Sequence, residues 1–185
     1  NARVGERKNT SNGNETQKIK ILMDKLGLSP NDRTVVPAAI ACAQRTGTPS
    51  AALQLNDGRI ITGKTTDLMG CSSTVLLNSL KALAGIDDEV KLISPAAIEP
   101  IQALKTRFLG SHNPRLHTDE VLIALSISAA TDDRAKAAMA QLNNLEGCEI
   151  HTTTILGSVD ERVFRSLGLN VTSEPVYSTK KLYHK

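Results

Sequence analysis

The chain has 185 residues, with 22 Lys and Arg against 19 Asp and Glu, 40% apolar and 22% charged side chains, and only 2% aromatics. That composition suits one globular domain, long enough to bury roughly 70% of its unfolded surface. It excludes disordered, collagenous and disulfide-scaffold chains, and no apolar run approaches the ~18 residues of a membrane span.

Residues 1–17 are polar, rich in Asn, Ser, Thr and Gly, and read as a linker; without an initiator Met they look like an internal stretch of something longer. Ile19, Leu22, Met23 and Leu26 then make the i, i+3, i+4, i+7 stripe of a short amphipathic helix. Gly27 ends it and Ser29-Pro30-Asn31-Asp32 is a turn. A second helix is expected over 35–45, with Pro37 in its first turn and Gly47 past its end, completing a helical pair at 18–46.

Asn56-Asp57-Gly58 joins two apolar runs, 51–55 and 59–63, as a β-hairpin, because Asp-Gly accepts the positive φ of such turns. A loop over 64–71 leads to a helix over 73–84, capped by Ser72 or Ser73 and closed by Gly85. Residues 89–93 read as a strand. Ser94-Pro95 opens a helix that runs to about Gly110, with an irregularity at Pro100. Thr118 caps an apolar helix to Ala130, and Thr131 caps the next, to about Leu145. Residues 148–155 form a strand, Ser158 and Glu161 a capping box for a short helix, and 169–172 a last strand. The expected fold is α/β: a mixed sheet with a β-hairpin start and flanking helices over 50–175, layered in the manner of nucleoside deaminases. A basic tail, 176–185, follows.

The net charge of +3 sits on the ends. Residues 1–25 carry six basic and three acidic side chains, the last six residues add three lysines, and 26–179 is net negative. A nucleic-acid binder shows a basic face on its folded body, often with aromatics for stacking, so no nucleic-acid partner is expected, and no membrane. Cys42, Cys71 and Cys148 are odd in number and widely spaced, which points to reduced thiols and a cytoplasmic location.

One motif stands out. Gly58-Arg-Ile-Ile-Thr-Gly63-Lys64-Thr65 satisfies the phosphate-loop pattern G-x-x-x-x-G-K-[ST]. Its context opposes that chemistry: the intervening residues are a strand, Gly58 belongs to a hairpin, and no helix follows Thr65 at once. A weaker reading keeps Lys64, Thr65, Ser72 and Ser73 as a candidate anion site at a helix start. The hairpin followed by Cys71 at a helix start resembles the zinc-dependent deaminases. However, Cys71-Ser72-Ser73 lacks their Glu, and Ser94-Pro95-Ala96-Ala97 lacks their cysteines, so no metal and no cofactor is expected. His117, Asp119 and His151 form a candidate polar cluster that no sequence spacing enforces.

Four strings are specific by their wording: 82–88 (ALAGIDD), 92–95 (LISP), 99–101 (EPI) and 113–126 (NPRLHTDEVLIALS). With the ending 179–185 (TKKLYHK), they resemble a bacterial family known as domain of unknown function 1846. The resemblance runs from about Ile19 to the end. It implies that the chain is the C-terminal portion of a longer cytoplasmic protein, whose N-terminal part carries a glycine-rich segment. Some members bear ATP-dependent protease labels, but this chain has no H-E-x-x-H motif to receive them. The family pattern implies a small residue where this chain has Cys71, which argues against a catalytic thiol. Two functions follow: a non-catalytic module that packs on the N-terminal domain of the same protein or associates with itself as a homo-oligomer, or a contributor to a nucleotide or phosphorylated-metabolite site.

Overall fold

The computed structural model describes residues 1–11 and 13–178. Eight helices and four strands follow in chain order: α1 (Ala2–Arg7), α2 (Gly13–Leu26), α3 (Val35–Thr46), β1 (Ser50–Gln54), β2 (Ile60–Lys64), α4 (Cys71–Ala84), α5 (Pro95–Arg107), α6 (Thr118–Ser128), α7 (Asp133–Met139), β3 (Glu149–Thr152), α8 (Ser158–Ser166) and β4 (Asn170–Ser173). The strands form one mixed sheet in the order β2-β1-β3-β4, with β1 antiparallel to both neighbours and β3 parallel to β4. The α/β class, the mixed sheet and the opening hairpin all stand as expected.

Alternation along β1 builds two layers. Ala51, Leu53 and Leu55 face one side, where Leu76 and Leu80 of α4, Val121 and Leu125 of α6, Ala135 of α7 and Phe164 of α8 complete the main core. Ala52 faces the other side and meets Val35 and Ala39 of α3. Leu, Ile, Val and Ala fill most of this interior, around the fully buried aromatic Phe164. The helical pair is therefore divided: α3 is a layer of the sheet, while α2 buries none of its side chains.

Gly63 sets how closely α4 lies on the sheet. A Cβ there would stand 2.3 Å from the Val75 backbone nitrogen, so only hydrogen lets the strand and helix backbones touch. Gly58 has φ of 87° in the hairpin turn. Both glycines of the phosphate-loop pattern thus have structural duties.

Four local readings are corrected. The linker segment carries α1 and the start of α2. Residues 89–93 are not a strand: Leu92 and Ile93 bury against the core as irregular chain, and the Lys81 ammonium of α4 donates to the Asp88 carbonyl at 2.6 Å to hold this loop. The helix expected up to Leu145 ends at Met139, followed by a 3-10 turn over Leu142–Leu145. Ser158 does not cap α8; Gly157 takes that place, and Glu161 bonds Arg165 at 2.8 Å instead. Most of the basic tail, residues 179–185, lies outside the described residues.

Candidate functional site

The starts of α4, α6 and α8 meet beside the β2 end of the hairpin. Loop residues Met69 and Leu116 pair as an isolated bridge, and Gly70 donates its backbone N–H to the Leu116 carbonyl at 3.4 Å. That carbonyl also accepts the Ser73 hydroxyl at 2.9 Å. Thr65 accepts the Cys71 backbone N–H at 3.2 Å, satisfying one of the orphan donors at the start of α4. Of the four anion candidates, Thr65 and Ser73 are thus engaged in fixing a helix, Ser72 is buried, and Lys64 is exposed at the end of β2. The structure gathers no ring of free donors from them.

Asp160 of α8 is the hub of this junction. One of its oxygens accepts both the backbone N–H and the hydroxyl of Thr118, each at 3.0 Å, which caps α6 from another helix. Its other oxygen lies 3.5 Å from His117 Nδ1. Glu120 closes the first turn of α6 from within, accepting the His117 N–H at 2.8 Å and the buried Lys105 ammonium at 2.6 Å. Lys105 also donates to the Arg115 carbonyl at 2.7 Å, so the charge is fully engaged. Burial pulls the Asp160 carboxyl up, but the hydrogen bonds from His117 and Thr118 outweigh it and hold the group below the usual range. The Asp160 carboxylate in turn raises His117 against a smaller desolvation effect.

His151 belongs to a second network, on the α3 side of the sheet. It sits opposite Ala52 on β1 and beside Thr172 on β4. Arg33, in the turn before α3, donates to the Thr172 hydroxyl and pairs with Glu149. The Thr172 hydroxyl stands 2.9 Å from His151 Nδ1 and 3.3 Å from the Ile150 carbonyl, while His151 Nε2 lies 3.3 Å from the Glu174 carboxylate. Burial, at 3% exposure, lowers the His151 pKa. The three-residue cluster of the sequence reading does not assemble: His117 takes Asp160, His151 takes Glu174, and Asp119 lies 3.8 Å from Arg162. Asp160, Glu120, Lys105 and Arg33 were missed. The Ser158-x-x-Glu161 signal points at the correct helix start but at the wrong side chains.

Cys71 opens α4 with its side chain 6% exposed, and burial pushes its thiol up to about 11. A thiol so far from ionisation is a core residue and not a nucleophile. Among the described residues no group of three or more His, Cys, Asp or Glu side chains is placed to hold a metal ion. Two open surface concavities, of about 500 and 350 Å³, are lined by Ser158, Glu161, Arg162, Arg165 and Ser166 and by Arg3, Glu6, Arg7 and Pro175. Neither contains any of the anion candidates or the three cluster residues.

Fold and site together define an α/β domain whose buried polar groups fasten helix starts and strand edges. The chain belongs to the family described as domain of unknown function DUF1846, C-terminal, whose model matches residues 31–183. It is similar to UPF0371 proteins of Corynebacterium efficiens and Corynebacterium urealyticum, 59% identical to each over 184 residues, covering 100% of this chain and 37% of each relative. A UPF0371 protein of Streptococcus pyogenes is 50% identical over 169 residues, 91% of this chain and 34% of the relative. The chain thus spans little more than a third of the relatives it matches. Among the described residues no helix is long and apolar enough to cross a membrane.

Proposed function

We propose that this domain is a non-catalytic packing module that docks the preceding part of its own polypeptide through α2. The observation that carries the reading is the bareness of that helix. Ile19, Leu22 and Leu26 lie along one stripe, all exposed, Leu26 at 69%, and α2 buries no residue. A 14-residue helix is marginal alone in water, since most helical stability comes from packing an apolar face. The family match begins at residue 31, beyond α2, whereas the corynebacterial relatives align with the whole chain. A bare helix outside the matched span supports a role for α2 toward the remaining 63% of those relatives.

Phosphate binding, the alternative, draws no support from the geometry, because the glycines of the motif serve the hairpin and the α4 contact and its hydroxyls are engaged locally. The reading includes a cytoplasmic setting, which three free buried cysteines support.

Hydrogen exchange on the full-length polypeptide tests it. The α2 amides are expected to exchange at least ~100-fold more slowly than unstructured amides, and Leu22→Asp with Leu26→Asp to abolish that protection. Fast exchange across α2 in the full-length protein would sink the idea.

A further inference from the structure

The lysines of α2 indicate the chemistry of the surface that receives it. At 3.6 residues per turn, Lys18 and Lys25 stand together about 100–120° to one side of Ile19, and Lys20 stands about 100° to the other. Ile19, Leu22 and Leu26 lie between them, so the apolar stripe has a basic border along each side. Asp24 falls on the back of the helix, and Glu15 is in the first turn, where the helix dipole favours a carboxylate. All three lysines are exposed. Among the described residues, none of them pairs with a carboxylate of this chain.

The size of the stripe selects the occupant. Three exposed side chains make a contact smaller than the roughly 800 Å² per partner of a stable interface between separate molecules. A segment of the same polypeptide needs no such area. Tethered at an effective concentration in the mM range, it holds α2 through a small and partly polar contact, the usual kind between domains of one chain. The 63% of the corynebacterial relatives outside the match is where that segment is to be sought. A lipid surface suits the helix less. Three lysines against Glu15 and Asp24 leave α2 a net charge of only +1, whereas anionic membranes select clusters of roughly 4–8 basic residues.

On the docking reading of α2, we infer that its seat is an apolar groove in the preceding part of the same polypeptide, with carboxylates along both rims. One rim meets Lys18 and Lys25, the other Lys20. The stripe supplies the adhesion. The rims set the rotation of the helix in the groove, because turning it would press a lysine onto the apolar floor and strip its water. Charged rims also make the contact sensitive to salt, which a wholly apolar seat is not.

Hydrogen exchange of α2 in the full-length polypeptide, read against α4 as internal reference, tests the inference. Protection of the α2 amides is expected to fall at least ~10-fold between about 50 and about 500 mM NaCl, while that of α4 holds. Replacing the lysines together, Lys18→Gln, Lys20→Gln and Lys25→Gln, is expected to lose a similar ~10-fold at low salt and with it the salt dependence. The set Lys18→Arg, Lys20→Arg and Lys25→Arg is expected to keep both. Gln and Arg are good helix formers, so neither set disturbs α2 itself. Protection that is present but indifferent to salt and to the Gln set overturns the acidic rims and leaves the docking standing. Amides of α2 that exchange as unstructured at low salt overturn the docking and the rims together. Protection that appears only on adding phosphatidylserine vesicles overturns both as well and gives the helix to a lipid surface.

Discussion

His117 and His151 have opposite environments and therefore opposite effects on stability. Asp160 raises the His117 pKa in the folded chain, so the native state holds its proton more tightly than the unfolded state. Its contribution is fully present below the ordinary value of about 6.5 and is lost as pH rises through the folded value. Burial depresses His151 despite Glu174 beside it, with Arg33 lowering it further. Its contribution is present above about 6.5 and is lost as pH falls through its folded value. The two slopes enclose a stability maximum near neutrality. In urea titrations between pH 5 and 8, Asp160→Asn is expected to flatten the alkaline side and keep the acid slope. An unchanged alkaline slope in that variant would show that the His117–Asp160 pair does not control it.

At the scale of elements, what was legible depended on how local the cause is. The hairpin was readable because Gly58 needs its positive φ within four residues of chain. The helix start at Ser94 was readable because capping there is a local contest for backbone N–H groups, and Ser94 does accept from Ala97; at α6 the cap position falls on His117, and the Thr118 hydroxyl expected to cap the helix donates to Asp160 instead. Residues 89–93 were misread because a short apolar run looks alike in a buried strand and in a buried loop, and the Lys81 tether that decides the matter comes from another element. Arg33 was invisible for a stronger version of the same reason: its partners Glu149, Asn170 and Thr172 lie 116 to 139 residues away. Asp160 was hidden likewise, capping a helix 42 residues upstream.

Gly63 gives this scale its sharpest test. The motif reading would make it a phosphate-loop glycine, whereas the structure makes it the contact between β2 and α4. An added methyl would meet Val75 N at 2.3 Å and Val75 Cα at 2.7 Å, backbone atoms that cannot swing aside. Overpacking typically costs about 1–3 kcal/mol, and a rigid backbone obstacle belongs at the upper end. Gly63→Ala should lower stability by about 3 kcal/mol in urea denaturation, with Lys64→Ala nearly neutral because that side chain is exposed. If Gly63→Ala is harmless while Lys64→Ala is costly, the motif matters and the packing account fails.

For the whole molecule, the core shows where the cooperative unit begins. Among the described residues no buried apolar residue precedes Val35, and α1 and α2 bury nothing. What ties α1 to the body is peripheral: a Lys8–Glu161 pair at 3.7 Å, the Tyr177 hydroxyl donating to the Arg7 carbonyl at 3.4 Å, and Arg7 over the Tyr177 ring at 5.7 Å. Exposed pairs of this kind contribute at most about 1 kcal/mol each and are screened by salt. The Ser29 N–H, bonded to Asp32 at 2.7 Å, closes its own turn without help from α2. A chain starting at Ser29 should therefore fold with the same unfolding free energy in urea to within about 1 kcal/mol and keep the exchange protection of β1, β3 and α4. The helices before it would then be free to answer to another part of the polypeptide without loosening the sheet. A loss of more than about 3 kcal/mol on truncation would mean that α1 and α2 belong to the folding unit, and the docking role given to α2 would have to be withdrawn.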